Sequence, residues 1–259
     1  MAALAEKPPR LGSGDMHVWV GEIEPGFSLG TAWDAWGLLS SEERERAGRF
    51  RSRGAGARWA HTRAMLRQLI GGYLGLDPAS LRFQTGEYGK PELAPSPLEA
   101  GARPRAARSC LPAARSCLPA RSCLPAARSL PPLHFNLSHS GSLALFALAR
   151  DQPVGVDVER LGRGLDALAV AARAFGEDTL QRLQGLPTNE RDRELLRLWV
   201  RHEAALKCTG AGLAGGGELR RGPQPWVAEL DVGSGALAAV SAWREPDALT
   251  CRRLPPVRA

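Results

Sequence analysis

Two short stretches carry the residues with the strongest claim to chemistry. In VGVDVE (154–159), apolar Val156 and Val158 alternate with Asp157 and Glu159. Side chains of a strand point alternately to either side, so both carboxylates share one face, with α-carbons about 7 Å apart. Two such groups repel unless a hard cation joins them, and magnesium is the natural candidate. A solvated strand face is the other reading, since antiparallel sheets often expose one side. In WVRHEAALK (199–207), Trp199, Glu203 and Lys207 stand four residues apart and form one stripe of a helix. With Leu196, Trp199 and Leu206 as helical neighbours, Glu203 is costly to bury without a cation, a donor or water. The plainer reading is a Glu–Lys pair on a solvated edge. If the helix instead packs on the VGVDVE strand, Glu203 becomes a third metal ligand.

Magnesium keeps a few carboxylates, several waters and substrate phosphate oxygens, so three carboxylates point to a phosphate-bearing substrate. Phosphates need cationic partners, and Lys207, His139, Lys90 and Arg58 are available if the fold gathers them. Spacing alone does not gather them, and for His139 taken alone a structural histidine beside a turn is the favoured reading. The sequence has no Walker loop, dinucleotide fingerprint or nucleophile elbow, and GLAGGGEL (212–219) reads as a glycine-rich loop.

The elements that must hold these residues follow from periodicity. MHVWVGEI (16–23) reads as a strand. LLSSEERERAGRF (38–50) starts a helix at Ser40 or Ser41, with acidic residues in its first turn. A second amphipathic helix runs from Arg58 and is expected to stop near Gly71 and Gly72. LHFNLSH (133–139) alternates strictly and, with a turn at Ser140 and Gly141, forms a hairpin with SLALFALA (142–149). VGVDVE is the next strand. Helical runs are expected over 165–183 and 190–207, and WVAELDV, ALAAVSAW and ALTCRRL close the chain as short strands.

A chain of 259 residues, 44% hydrophobic, has enough apolar material for one large core or two ordinary ones. Its apolar runs are far short of a membrane span, and the first residues lack the apolar core of a signal peptide, so a cytoplasmic protein away from membranes is expected. Five cysteines do not suggest a disulfide framework. The net charge of +7 would point to nucleic acid were it spread over a surface, but six of the arginines lie in residues 101–132, where there is no Lys, Asp or Glu. That segment is a tandem repeat, AARSCLP, AARSCLP, ARSCLP, AARSLP, whose prolines forbid a helix. It reads as a passive loop insertion, and Cys110, Cys117 and Cys123 are copies of one repeat position without zinc-site spacing. The remainder is nearly neutral, so no nucleic-acid partner is expected.

Taken in order, EYGKPEL (87–93), FNLSHSG (135–141), VGVDVE and WVRHEAALKCTG (199–210) resemble the motifs of the 4'-phosphopantetheinyl transferases. The likeness is to the larger monomeric class that activates nonribosomal peptide and polyketide synthases, and it covers nearly the whole chain except the repeat. It implies an α/β (α+β) fold of two similar halves related by pseudo-twofold symmetry, here 1–150 with the insertion and 151–259 with the metal site. Coenzyme A would lie between the halves. The implied reaction moves the phosphopantetheine arm to a serine of an acyl, peptidyl or polyketide carrier protein and releases 3',5'-ADP. By the same resemblance, Asp157, Glu159 and Glu203 hold magnesium, and Glu203 is also the base for the carrier serine. Lys207 stabilises the departing ADP. Ser138 and His139 contact the 3'-phosphate, Lys90 and Arg58 add phosphate or adenosine contacts, and Arg46 is a further candidate. The chain departs from the family in having His202 where lysine is usual, one residue off the Glu203 stripe. Three alternatives stand beside this reading: a magnesium-dependent nucleotide or pyrophosphate hydrolase, a basic nucleic-acid binder, and an impaired family member.

Overall fold

The computed structural model describes residues 7–23, 33–86, 90–94, 132–162, 167–210, 222–233 and 235–254. The arginine repeat, the first three residues of EYGKPEL and the GLAGGGEL stretch lie outside the described residues. Strand β1 (Asp15–Glu22) is followed by three helices, α1 (Trp33–Trp36), α2 (Ser41–Gly48) and α3 (Arg53–Leu74). Two short strands, β2 (Phe83–Thr85) and β3 (Pro91–Leu93), pair with each other. Then come β4 (His134–Ser140), β5 (Leu143–Ala149) and β6 (Val154–Arg160). Helices α4 (Ala167–Ala174), α5 (Glu177–Gln184) and α6 (Thr188–Thr209) precede strands β7 (Trp226–Leu230), β8 (Ala236–Ala242) and β9 (Ala248–Arg253).

Local chemistry explains most of these boundaries. Ser40 caps α2 in a reciprocal box: its hydroxyl accepts from Glu43 N–H at 3.2 Å, and Glu43 Oε2 accepts from Ser40 N–H at 2.9 Å. Helix α3 runs through Gly71 and Gly72, where the sequence suggested a stop, and ends at Gly75 in the left-handed conformation with φ 69°. A glycine inside a helix costs only about 1 kcal/mol, which the packing of Leu66, Leu69 and Ile70 outweighs. The run expected over 165–183 is two helices, because Gly176 at φ 86° turns the chain between α4 and α5. Its first residues lie outside the described ones.

Two sheets and two long helices form the scaffold. The first sheet has the order β4-β5-β1-β9, with β9 parallel to β1 and the other pairs antiparallel. The second, β6-β8-β7, is antiparallel throughout. Strand β9 comes from the tail of the chain yet completes the sheet begun by β1, so residues after 151 contribute to both sheets. Met16, Val18, Leu145 and Ala147 of the first sheet pack on Val156, Val158, Ala238 and Val240 of the second. The other face of the first sheet buries Trp19, Phe146 and Leu148 against Met65, Leu66 and Ile70 of α3. Strand β5 is thus covered on both sides, which is why LALFALA has no polar residue. Helix α6 covers the outer face of the second sheet through Val200, Ala204 and Ala239. Among the described residues no helix is long and apolar enough to cross a membrane.

Candidate active site

The alternation of β6 decides where the carboxylates go. Val156 and Val158 enter the core between the sheets, which leaves Asp157 and Glu159 on the side covered by α6. Gly155 sets how closely that helix approaches: a Cβ there would lie 2.0 Å from Ala204 O and 2.5 Å from Cys208 N. Only glycine fits the contact, and it brings Glu203 and Lys207 over the strand. The Lys207 ammonium donates to Asp157 Oδ1 at 2.6 Å, to Val156 O at 3.2 Å and to Ser138 Oγ at 3.2 Å. The Glu203–Lys207 stripe is therefore not a solvated surface pair, and Lys207 pairs with Asp157 instead.

Strand β4 lies beside β6 where the two sheets meet, and its side chains make the connection there. Val156 N–H donates to Asn136 Oδ1 at 2.9 Å, Ser138 Oγ donates to Asp157 Oδ1 at 2.8 Å, and Arg160 N–H donates to Ser140 Oγ at 3.1 Å. The Ser140 hydroxyl in turn donates to Glu159 Oε2 at 2.8 Å. Asn136 and Ser140 were not singled out in the sequence, although they share strand parity with Ser138 in FNLSHS. That alternation was the available signal.

Two oxygens of this cluster are left over. Asp157 Oδ2 and Glu203 Oε1 are buried without a hydrogen-bond partner among the described residues. Burial, foremost, raises the Asp157 carboxyl above its ordinary range, against the lowering pull of Lys207 and Ser138. Burial also raises Glu203, and the charges of Asp157 and Glu159 push it further, so the three carboxylates feel one another. Unmatched, mutually repelling carboxylate oxygens fit a hard divalent cation. The fit is not a finished cage: among the described residues no three His, Cys, Asp or Glu side chains already converge as a ligand set. Ser140 engages one Glu159 oxygen.

The expected phosphate-binding residues divide into two groups. His139 is exposed and lines two adjoining cavities of about 440 and 480 Å³. Arg46 lines the first, its guanidinium 5.3 Å from the Trp59 ring centroid. Arg58 lines the second with Ser140 and Arg160. Although His139 is open to the cavities, atoms packed round the ring partly desolvate it, and that first, then the Lys207 charge, holds its imidazole below its ordinary value. Lys90 is elsewhere. Its ammonium donates to Val154 O at 3.1 Å and Lys207 O at 2.8 Å, and it lines neither cavity. Two backbone carbonyls thus take two of the three ammonium donors. The first cavity also exposes one side of a network absent from the sequence reading, in which Arg63 and Arg67 both bind Glu43. His202 sets its ring edge-on against Phe175, centroids 5.4 Å apart.

Residues 153–233 match the family model described as the 4'-phosphopantetheinyl transferase superfamily. The chain is 32% identical over 211 residues to the 4'-phosphopantetheinyl transferase HetI of Nostoc sp., covering 80% of this chain and 75% of that protein. The chain belongs to the 4'-phosphopantetheinyl transferase superfamily. It is also 28% identical over 177 residues to the 4'-phosphopantetheinyl transferase Sfp of Bacillus subtilis, covering 68% of this chain and 62% of that one. To psf-1 of Bacillus pumilus it is 41% identical over 86 residues, 33% and 36% of the two chains. For a superfamily member, the mixed α and β architecture is the expected one, and each of these relatives carries the transferase name. The hydrolase reading finds no support among them.

Proposed function

We propose that this chain transfers the 4'-phosphopantetheine arm of coenzyme A to a serine hydroxyl of an acyl, peptidyl or polyketide carrier protein. The enzyme class comes with the family, and coenzyme A and a carrier are the partners that class implies. The observation that carries the chemistry is the pair of buried, unpartnered oxygens, Asp157 Oδ2 and Glu203 Oε1, beside the Lys207 ammonium.

Asp157, Glu159 and Glu203 would hold magnesium. When bound, the ion neutralises charge on the pyrophosphate, and that neutralisation plus positioning is most of what phosphoryl transfer needs. In the transfer, the carrier serine oxygen bonds to the phosphorus that bears the pantetheine arm. The bond from that phosphorus to the bridging oxygen breaks, and 3',5'-ADP leaves. Glu203 takes the serine proton directly or through water, and Lys207 meets the charge on the departing group. His139 and Ser138, with Arg58 and Arg46 along the cavities, receive the phosphates of coenzyme A. Two halves, 1–150 and 151–259, related by pseudo-twofold symmetry, belong to the same reading, as do a monomer, a cytoplasmic location and no nucleic-acid or membrane partner. Each half supplies one wall: α2 and α3 the guanidiniums, β6 and α6 the carboxylates.

Mass spectrometry of several apo carriers after incubation with coenzyme A and magnesium tests this. A gain equal to one phosphopantetheine arm is expected on at least one carrier. Release of ADP without a modified carrier would overturn it.

A further inference from the structure

Lys90 is an expected phosphate ligand whose ammonium is engaged by two backbone carbonyls. Lys207 O is among the last carbonyls of α6, which have no partner within the helix because the chain ends its turns at Gly210. Val154 O is at the first residue of β6. Lys90 bonds both, and so ties the C-terminal end of α6 to the start of the strand that bears Asp157 and Glu159. A cation at a helix C-terminus is favourably placed against the helix dipole. The tie sits at the same junction where Gly155 admits the α6 backbone onto β6. Lys207 is consequently fixed at both ends, its carbonyl by Lys90 and its ammonium by Asp157, Ser138 and Val156.

We infer that Lys90 is a positioning residue, a brace that sets the α6–β6 spacing on which the Asp157, Glu203 and Lys207 geometry depends, and not a ligand of coenzyme A phosphates. The inference rests on the proposed transferase reading for what that geometry serves. Groups that orient metal ligands without touching the metal typically matter about 10- to 100-fold in affinity. Removing the ammonium should therefore loosen the metal site and leave the cavities at His139 and Arg58 intact.

The test compares the full-length protein with Lys90→Met, which keeps the alkyl stem, and Lys90→Gln, which retains a donor. Manganese binding in the presence of coenzyme A is followed by electron paramagnetic resonance, and coenzyme A binding without metal by calorimetry. For Lys90→Met, about tenfold weaker manganese binding is expected, with a comparable fall in kcat, metal-free coenzyme A affinity within twofold, and partial recovery in Lys90→Gln. Two results overturn the inference. One is a tenfold loss of coenzyme A affinity with manganese binding unchanged, which makes Lys90 a phosphate contact. The other is a lowered Tm with manganese binding and kcat unchanged well below it, which makes the brace merely structural. If Lys90→Met does not fold, the same readings on Lys90→Gln decide. A wild-type protein that modifies no carrier defeats the transferase reading separately, because the resonance measurement does not depend on turnover.

Discussion

Buried charge is handled in opposite ways by the Glu43 cluster under α3 and the Asp157 cluster under α6. Glu43 binds Arg63 through one oxygen and Arg67 through the other, and Arg67, only 1% exposed, spends its remaining donors on Pro78 O and Leu81 O. Both guanidiniums also lie over the Phe83 ring. Burial alone would raise the Glu43 carboxyl, but hydrogen bonds from Arg63 and Ser40 and the nearby positive charges outweigh it and hold the group below its usual range. Asp157 is buried and Glu203 half-buried, the Lys207 ammonium bonds only Asp157 of the two, each carboxylate keeps a buried oxygen without a hydrogen-bond partner among the described residues, and both are raised. The first network satisfies its buried oxygens within the fold, and the second leaves two oxygens for which the proposed magnesium site supplies a partner.

The sharpest way to break that contrast is Glu203→Gln. It keeps shape while removing a ligand and base, so transfer should fall by about 10³-fold, several kcal/mol of lost charge stabilisation. Tm should hold or rise, because repulsion with Asp157 and Glu159 is relieved. A large drop in Tm with transfer intact per folded molecule would put Glu203 in the structural class. Asp157→Ala is expected to abolish magnesium-dependent transfer in a protein that still folds.

Glu43→Gln should do the reverse. Uncoupling one partner of a buried ion network costs about 3 to 5 kcal/mol, so denaturant unfolding should move to much lower concentration while kcat of the folded fraction changes little. A stable, inactive Glu43→Gln protein would erase the distinction between the clusters.

Acid should act on the α3 side in the same sense. His61 is buried on α3, and burial lowers it to about 4. Its folded value is below the unfolded one, so the unfolded chain binds more protons between about pH 6.5 and 4, and stability rises with pH across that window. The contribution is complete above about pH 6.5, is lost as pH falls towards 4, and amounts to about 3 kcal/mol. Unfolding free energies measured across this range should show the slope in wild type and a reduced slope in His61→Leu; equal slopes would assign the loss to other groups.

The smallest expected effect is at His202. Its ring packs on Phe175, and it stands one residue off the Glu203 stripe, so His202→Lys should change transfer by less than tenfold. A larger gain in steady-state rate would place this position within the working site.

Much of this was legible in the sequence. Alternation in VGVDVE put Asp157 and Glu159 on one face, the fourfold spacing in WVRHEAALK put Glu203 and Lys207 on one stripe, and the Ser40 start of α2 followed from its side-chain chemistry. Each depends on residues within a few positions, where strand and helix geometry fix direction. The extent of α3 was not legible, because the cost of Gly71 and Gly72 is offset by packing on a sheet far away in sequence. Nor was the Arg63–Glu43–Arg67 network: the two arginines share a stripe of α3, but Glu43 lies 20 and 24 residues away on α2 and meets them only once α2 lies on α3.

By itself the sequence determined the types and faces of the reactive groups, and the family motifs that name the chemistry. The tertiary structure alone decided which partner each group takes: Lys207 turns to Asp157 and not to Glu203, Ser140 holds Glu159, and Lys90 bonds two backbone carbonyls. Faces follow from local periodicity, but partners follow from the approach of elements, and at Gly155 that approach is set by a side chain that is not there.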